Sequence, residues 1–316
     1  MKIGIFTEGG FQGKISRDNP NMRTDLAWWC ALGGTHHPLP ILHELPDNSY
    51  DFGIMILPKK RKPLLNYPLL ENYKRVCKKV TVMQESYYNY WQDSSIEEQI
   101  WYFNFMVEMD LIFCHNEVDL KYYRGMTGRK CELMPTVMIT DFIKTSDKRD
   151  ESVIIGGNFV KDYGGFDSYM VGREISDNIW APTTGRMKEE EKGVEINHLP
   201  WMMWLEWMYE LSKHRYAVQL GTAAAGQFPL NCAYLGIPCV GYNNLNTQVK
   251  CHSELSVDIG DIETAKTLIK KLKKDKNFYQ ECSEECKNKY KECFDEKVYI
   301  YTMKEIIKEV IEDETN

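Results

Sequence analysis

The sequence has no N-x-S/T acceptor site, no C-x-x-C pair and no apolar run long enough to cross a membrane. Those absences set aside an N-glycosylated surface, a zinc ribbon and a membrane span. An excess of positive charge is missing too. Thirty-nine Lys and Arg stand against 46 Asp and Glu, a net charge of -7, which excludes a uniformly basic coat for non-specific nucleic-acid binding. Neither G-x-G-x-x-G nor a Walker A sequence occurs, so the dinucleotide and P-loop fingerprints are both absent. What remains is ordinary globular material, 43% hydrophobic, 27% charged and 12% aromatic over 316 residues. A single core stops growing near this length, so two domains with a ligand cleft between them are expected.

The charge is unevenly placed. Residues 1–145 carry 17 basic and 17 acidic side chains and 146–316 carry 22 and 29, so the negative excess is C-terminal. The ten cysteines are scattered, and Cys282, Cys286 and Cys293 lie in a Lys/Glu-rich helical stretch without a companion His. Free buried thiols in a reducing compartment are expected, with no metal site. The opening MKIGIFTEGG reads as a strand and turn, not as a signal peptide, and a cytoplasmic location follows as the expectation.

Short Val/Ile-rich runs bounded by Gly, Pro or Asn predict buried parallel strands at residues 2–6, 52–57, 80–83, 111–114 and 131–134, then at 153–155, 179–181, 194–196, 216–220 and 238–241. Helical patterns fall between them, notably at 96–109, 201–211 and 262–272, and a charged helical segment occupies 278–312. Strand and helix alternating twice predicts an α/β chain of two Rossmann-like, doubly wound parallel-sheet domains facing a cleft. The expected boundaries are 1–147 and 148–300, with 301–316 packing back towards the first domain. Trp201, Trp204, Leu205 and Met208 recur at helical spacing and read as a core or domain-contact face.

Two loops could hold a phosphate. Gly9-Gly10-Phe11-Gln12-Gly13 follows the first strand, where small residues let backbone N–H groups approach a ligand. Gly221-Thr222-Ala223-Ala224-Ala225-Gly226-Gln227 follows the strand at 216–220 and opens a helix at 228–235, whose unpaired N–H groups and dipole favour a diphosphate.

The stretch YAVQLGTAAAGQFPLNCAYLGIPCVGY, residues 216–242, resembles the C-terminal nucleotide-sugar-binding region of GT-B glycosyltransferases of the group 1 type. VEINHLP at 194–200, with Asn197, His198 and Leu199, resembles that family's base-recognition strand and loop, and IGGNFVKDYGG at 155–165 its glycine loop. VTVMQESYYNYW followed by MDLIFCHN resembles the acceptor-domain pattern. The sequence departs at one point: the family's usual E-x7-E glutamates are replaced by Ala223 and Asn231, the latter still able to hydrogen-bond a hydroxyl.

The resemblance implies transfer of a hexose or pentose from a UDP- or GDP-sugar to an acceptor hydroxyl. It also implies a donor site made from Gly10, Gly13, Asn197, His198, Leu199, Gly221, Thr222, Ala223, Gly226, Gln227 and Asn231. Lys161 and Arg173 are the candidate cations, and the lack of a D-x-D pair agrees with a metal-independent reaction. For the base that takes the acceptor proton, the first half offers Asp18, Asp25, His36, His37 and Glu85, with Glu85 and His37 ranked first. Asp25 also fits a helix N-cap, and the two histidines read as a turn.

Lys59, Lys60, Arg61 and Lys62 follow the strand at 52–57, and with Tyr88 and Trp91 for stacking they could hold an anionic acceptor. The acceptor is therefore a glycan or a nucleic acid, the latter by likeness to viral DNA-base glycosyltransferases. A non-catalytic two-domain binding protein and a nucleotide-sugar epimerase are the alternatives.

Overall fold

The computed structural model describes residues 1–9, 11–22, 24–58, 67–84, 87–157, 159, 163–182, 195–222 and 226–312. The chain forms two compact units. The first comprises Met1–Arg17, Thr24–Ile139 and Glu296–Asn316, and the second Asp18–Arg23 and Thr140–Asp295. The division falls at Ile139/Thr140, ahead of the expected 147/148. Ser146 N donates to Ser212 Oγ at 2.8 Å and Asp150 N to Lys213 O at 2.7 Å, which tie the polar connecting stretch to the second unit. Residues 18–23 join that unit through Pro20, whose carbonyl accepts from Leu205 N at 3.0 Å.

The first unit is one parallel sheet in the order β2-β1-β3-β4-β5-β6, with β1 Ile3–Thr7, β2 Thr35–Pro38, β3 Tyr50–Leu57, β4 Cys77–Gln84, β5 Leu111–Cys114 and β6 Cys131–Leu133. Helices α1 (Thr24–Leu32), α2 (Leu69–Val76), α3 (Ile96–Met106) and α4 (Glu117–Thr127) alternate with the strands. Local chemistry sets their ends. Ser95 and Glu98 form a capping box on α3, Asn116 caps α4, and Gly128 in the left-handed region at φ 66° stops α4. Phe6, Met55, Val82, Ile112 and Tyr73 are fully buried in its core, each such apolar side chain worth about 1.5–3 kcal/mol when removed from water.

The second unit orders its strands β12-β11-β10-β7-β8-β9. These are β7 Asp150–Ile155, β8 Ile179–Pro182, β9 Asn197–Leu199, β10 His214–Gln219, β11 Cys239–Tyr242 and β12 Ser256–Val257. Counted from β7, this is the dinucleotide-fold order 3-2-1-4-5-6. Register is fixed at its centre by the pairing of Ile155 with Val218, both fully buried. Helices α5 (Gly165–Gly172), α6 (Trp204–Leu211), α7 (Gln227–Leu235), α8 (Asn246–Cys251), α9 (Ile262–Lys274) and α10 (Lys276–Phe294) complete it. The last helix, α11 (Glu296–Glu312), returns to the first unit. There it packs on α1, burying Tyr299, Met303, Ile307 and Val310, while Arg17 bonds Glu296 through two 2.8 Å contacts.

Both units are thus Rossmann-like, as the strand pattern predicts. Four details differ. His36 and His37 lie in an edge strand, β2, not a turn; β9 occupies Asn197–Leu199, against an expected 194–196 of which Val194 lies outside the described residues; and the helix expected from 201 begins at Trp204. Asp25 stands in the first turn of α1 instead of preceding it. All ten cysteines are free, eight of them buried. No helix among the described residues is long and apolar enough to cross a membrane.

Candidate functional site

Doubly wound sheets bind ligands at the carboxyl edge where the strand order reverses. In the second unit that point lies between β7 and β10, so the loops following those two strands are neighbours. Their approach is close. Gly164, at φ +69° just ahead of α5, has no room for a side chain: a Cβ there would fall on the Leu220 carbonyl and stand 2.5 Å from Gly221 N. Leu220 N also donates to the buried Ser168 Oγ at 2.9 Å, so the two loops are joined by a hydrogen bond as well as by contact. Both helices that leave this edge, α5 and α7, lack a side-chain cap, and each is entered through a left-handed glycine, Gly164 or Gly226. No side chain caps their first-turn N–H groups, which in α7 are those of Gln227 and Phe228 because Pro229 has none. Thr247 Oγ1 donates to Gly226 O at 2.7 Å and holds the entry to α7 in place.

Three side-chain atoms around this edge are buried with no hydrogen-bond partner among the described residues: Gln219 Oε1 at the end of β10, Gln227 Nε2 opening α7, and Asn244 Oδ1 after β11. Asn244 Nδ2 meanwhile donates to Thr222 O at 3.4 Å. Each orphaned polar atom costs about 1–3 kcal/mol. A ligand offering hydroxyls would recover part of that. Tyr242, ending β11, donates its hydroxyl to Asp167 Oδ2 at 3.0 Å. Burial, helped by that carboxylate, pushes its pKa up to about 12, so it stays a neutral donor.

Of the residues expected in a donor site, Gly221, Thr222, Gly226 and Gln227 stand at this edge. Gly10, Lys161 and Ala223 lie outside the described residues. Arg173 is elsewhere. It caps the far end of α5, one helix length of about 12 Å from the glycine loop, where it bonds Tyr169 OH at 2.8 Å and Asp177 at 3.2 Å. Asn231 is buried and, with its amide turned to satisfy both ends, donates to Gln227 O and accepts from Trp207 Nε1, each at 3.1 Å. Its side chain joins α6 to α7 and is not offered to a hydroxyl. Asn197, His198 and Leu199 form the edge strand β9, three strand spacings or about 14 Å from β10. Asn197 donates to Asn178 Oδ1 at 3.0 Å and Ile179 O at 3.2 Å, and Leu199 is in the core. The structure therefore does not bring β9 and the glycine loop together.

In the first unit the order reverses between β1 and β3. The loop after β1 is held by His36. Its Nδ1 lies 2.7 Å from Phe11 O and its Nε2 2.9 Å from Thr7 Oγ1, which in turn accepts from Gly9 N at 3.2 Å. A carbonyl only accepts, so Nδ1 carries a hydrogen, and Nε2 shares its hydrogen bond with the Thr7 hydroxyl. The backbone of His36 pairs with Gly13, and Trp29 stacks on its ring at 4.7 Å. Asp25 Oδ2 stands 3.9 Å from Nε2 with a third of its side chain exposed. His37, ranked above its neighbour on sequence, turns away: alternate residues of a strand face opposite sides. Its Nε2 meets Tyr50 OH at 2.5 Å and its ring stacks on Phe6, while burial and the His36 charge hold its pKa low.

Glu85 and the basic run Lys59, Lys60, Arg61 and Lys62 lie outside the described residues. Trp91 is a core residue, stacked on Tyr102 at 3.5 Å with Nε1 donating to Gln84 Oε1, and Tyr88 packs on Tyr122 at 4.5 Å. Neither ring forms the open stacking surface expected of them. Two titratable groups not anticipated from sequence sit nearby. Asp119 is buried under Tyr88 N (3.1 Å) and Asn116 Nδ2 (3.2 Å), and burial raises its pKa to about 6. Burial lowers that of His115 to about 4.

No protein-family model and no curated protein matches the sequence. Solved structures do match in fold. HepE of Anabaena, in complex with UDP and glucose, superposes with a TM-score of 0.69 at 10% identity, covering 98% of this chain and 99% of that one. Sucrose-phosphate synthase of Thermosynechococcus elongatus gives 0.61 at 9% identity over 98% and 99%. An α,α-trehalose 6-phosphate synthase of Burkholderia multivorans gives 0.62 at 11% over 87% and 73%. TarM also matches, at 0.57 and 7% identity, and there the chain covers 54% of the longer protein. The shared feature is the GT-B pair of parallel sheets, and that is the fold of this chain.

Proposed function

We propose that the protein is a glycosyltransferase that takes its sugar from a nucleoside diphosphate sugar, with a UDP-sugar the first candidate donor. The observation that carries this reading is the carboxyl edge of the second unit. Two uncapped helix starts meet there beside three unpaired amide atoms, on a fold otherwise seen in HepE with UDP and glucose bound. Gly221, Thr222, Gly226 and the first amides of α7 would take the diphosphate, and Gln219, Gln227 and Asn244 the ribose or sugar hydroxyls.

In the transfer, the bond between the anomeric carbon and the diphosphate oxygen breaks and its electron pair leaves on the diphosphate. The acceptor oxygen bonds the anomeric carbon and its proton passes to a carboxylate. The amides favour the charge that develops on the leaving oxygen. Among the described residues Asp25 suits the proton acceptor, because it is partly exposed and its Oδ2 lies 3.9 Å from His36 Nε2; Glu85 keeps its place from the sequence. A sugar or glycan hydroxyl is the proposed acceptor. The basic run that would hold a nucleic acid lies outside the described residues, and the ligands named beside UDP for matching structures include glucose, fondaparinux and α-GlcNAc-glycerol.

Thermal shift and product release with a panel of UDP- and GDP-sugars test the proposal, since a ligand bound to the native state raises its apparent stability. A UDP-sugar is expected to raise Tm and to release UDP in the presence of a sugar acceptor. Gln219→Ala with Gln227→Ala should weaken the donor about tenfold, roughly 1.4 kcal/mol, without lowering the stability of the free protein, whose orphaned atoms they remove. Failure of every nucleotide sugar to bind would end the proposal, and recovery of an epimerised free sugar would replace transfer with epimerisation.

A further inference from the structure

The outward face of α6 carries a cavity of about 660 Å³, built wholly from second-unit residues. It lies on the opposite side of the helix from the sheet: Trp204, Met208 and Leu211 are buried and Trp207 reaches Asn231, whereas Leu205, Glu206, Tyr209 and Glu210 line the cavity. Three large aromatic side chains open onto it, Trp201 at 52% exposure, Phe142 at 50% and Tyr209 at 44%. Rings of this size are seldom left so open together without a ligand or partner. Tyr209 is also pre-set, because Lys213 Nζ lies 5.0 Å from its ring centroid. The volume is that of a small-molecule site.

We propose that this groove binds a neutral oligosaccharide. The charges decide the class of ligand. Lys144, Glu206 and Glu210 stand among the aromatic rings, and Lys213 pairs with Glu210 at 2.5 Å. Two ammonium groups thus balance two carboxylates, so an ion of either sign meets no net opposite charge. A purely apolar occupant, such as a lipid chain or the apolar face of a peptide helix, would take the Lys144 ammonium and the Glu206 carboxylate out of water, which is unfavourable. A neutral pyranose avoids both problems. The negative face of an aromatic ring attracts its polarised C–H edge, and its hydroxyls can donate to carboxylates and accept from an ammonium. Glu206 is held for this, with Oε2 accepting from Met203 N at 3.0 Å, which fixes the carboxylate at the start of α6. The binding stands independently of the transfer reaction.

The test titrates the full chain with maltotetraose, cellotetraose and chitotetraose, following the indole N–H resonances of its eight tryptophans and assigning Trp201 by its loss in Trp201→Ala. At least one tetrasaccharide should shift the Trp201 resonance. Trp201→Ala and Tyr209→Ala should each weaken that binding at least tenfold while UDP binding, measured in parallel, is unchanged. Lack of binding by all three sugars overturns the inference. So does binding that survives both substitutions, or perturbation of Trp201 by phosphatidylcholine vesicles but by no tetrasaccharide.

Discussion

Gly164→Ala is expected to separate the two loops at the carboxyl edge of the second unit, the proposed donor site, and the size of the effect can be worked out. At φ +69° an added methyl meets the left-handed penalty of about 1–2 kcal/mol. It also lands on the Leu220 carbonyl and 2.5 Å from Gly221 N. Relief of that overlap typically costs about 1–3 kcal/mol. The shift breaks the buried Leu220 N–H to Ser168 Oγ bond, about 1 kcal/mol more. The sum is about 3–6 kcal/mol of local destabilisation. Gly13→Ala is the internal control: φ is +96° but nothing lies within 4 Å of the added atom, so only the conformational penalty of about 1–2 kcal/mol applies. Hydrogen exchange over residues 150–175 and 214–235 reads the local stability, and calorimetric titration with UDP reads the site. Gly164→Ala should lose protection in both segments together and bind UDP at least tenfold more weakly. Protection matching that of Gly13→Ala within about 0.5 kcal/mol would show that the loops do not press on one another and would refute the reasoning.

Burial holds His214 and His252 at a pKa of about 4 against 6.5 for the free side chain. The unfolded chain therefore takes up protons first as pH falls, and stability that is complete above pH 6.5 is lost between 6.5 and 4, by up to about 3 kcal/mol for each histidine. Asp119 works in the other direction. Its folded pKa of about 6 lies above the 3.8 of a free aspartate, so its contribution is present below pH 3.8 and is lost as pH rises through 6. Urea unfolding from pH 4 to 8 should show a falling midpoint towards acid for the wild type, and a flat profile would contradict the burial of the histidines. His36→Gln should free the loop after β1, raising exchange at Gly13, whose N–H bonds His36 O at 3.0 Å; unchanged exchange there would show that the ring is not what holds the loop.

The central strands are readable because burial on both faces demands continuous Val, Ile and Phe, as in residues 52–57 of β3 and 153–155 of β7. Of the edge strands, β6 is legible at 131–134, but THHP in β2 and SV in β12 are too short to show a pattern, so their membership rests on pairing with β1 and β11. The alternation of β2, which a short polar strand does not announce in sequence, is what sends His36 to the loop and His37 to Tyr50. At the donor edge the glycines were legible as breaks after strands. Asn231 was not, because what occupies its amide is Trp207, 24 residues away in sequence and on another helix. Gln219 and Asn244 carry no sequence signal at all; their interest lies in one buried atom each, Gln219 Oε1 and Asn244 Oδ1, that finds no partner among the described residues, which is a property of the packed structure.

The return of α11 to the first unit bears on how the chain is made. Synthesis proceeds from the N-terminus, and domains ordinarily fold as they emerge. Here the sheet of residues 3–133 is complete early, yet the buried faces of Tyr299, Met303, Ile307 and Val310 arrive last, after the whole second unit. The unit begun first is therefore finished last. Until then the α1 surface that α11 will cover stands open, and a nascent chain stalled before residue 296 would present it to chaperones or to other chains.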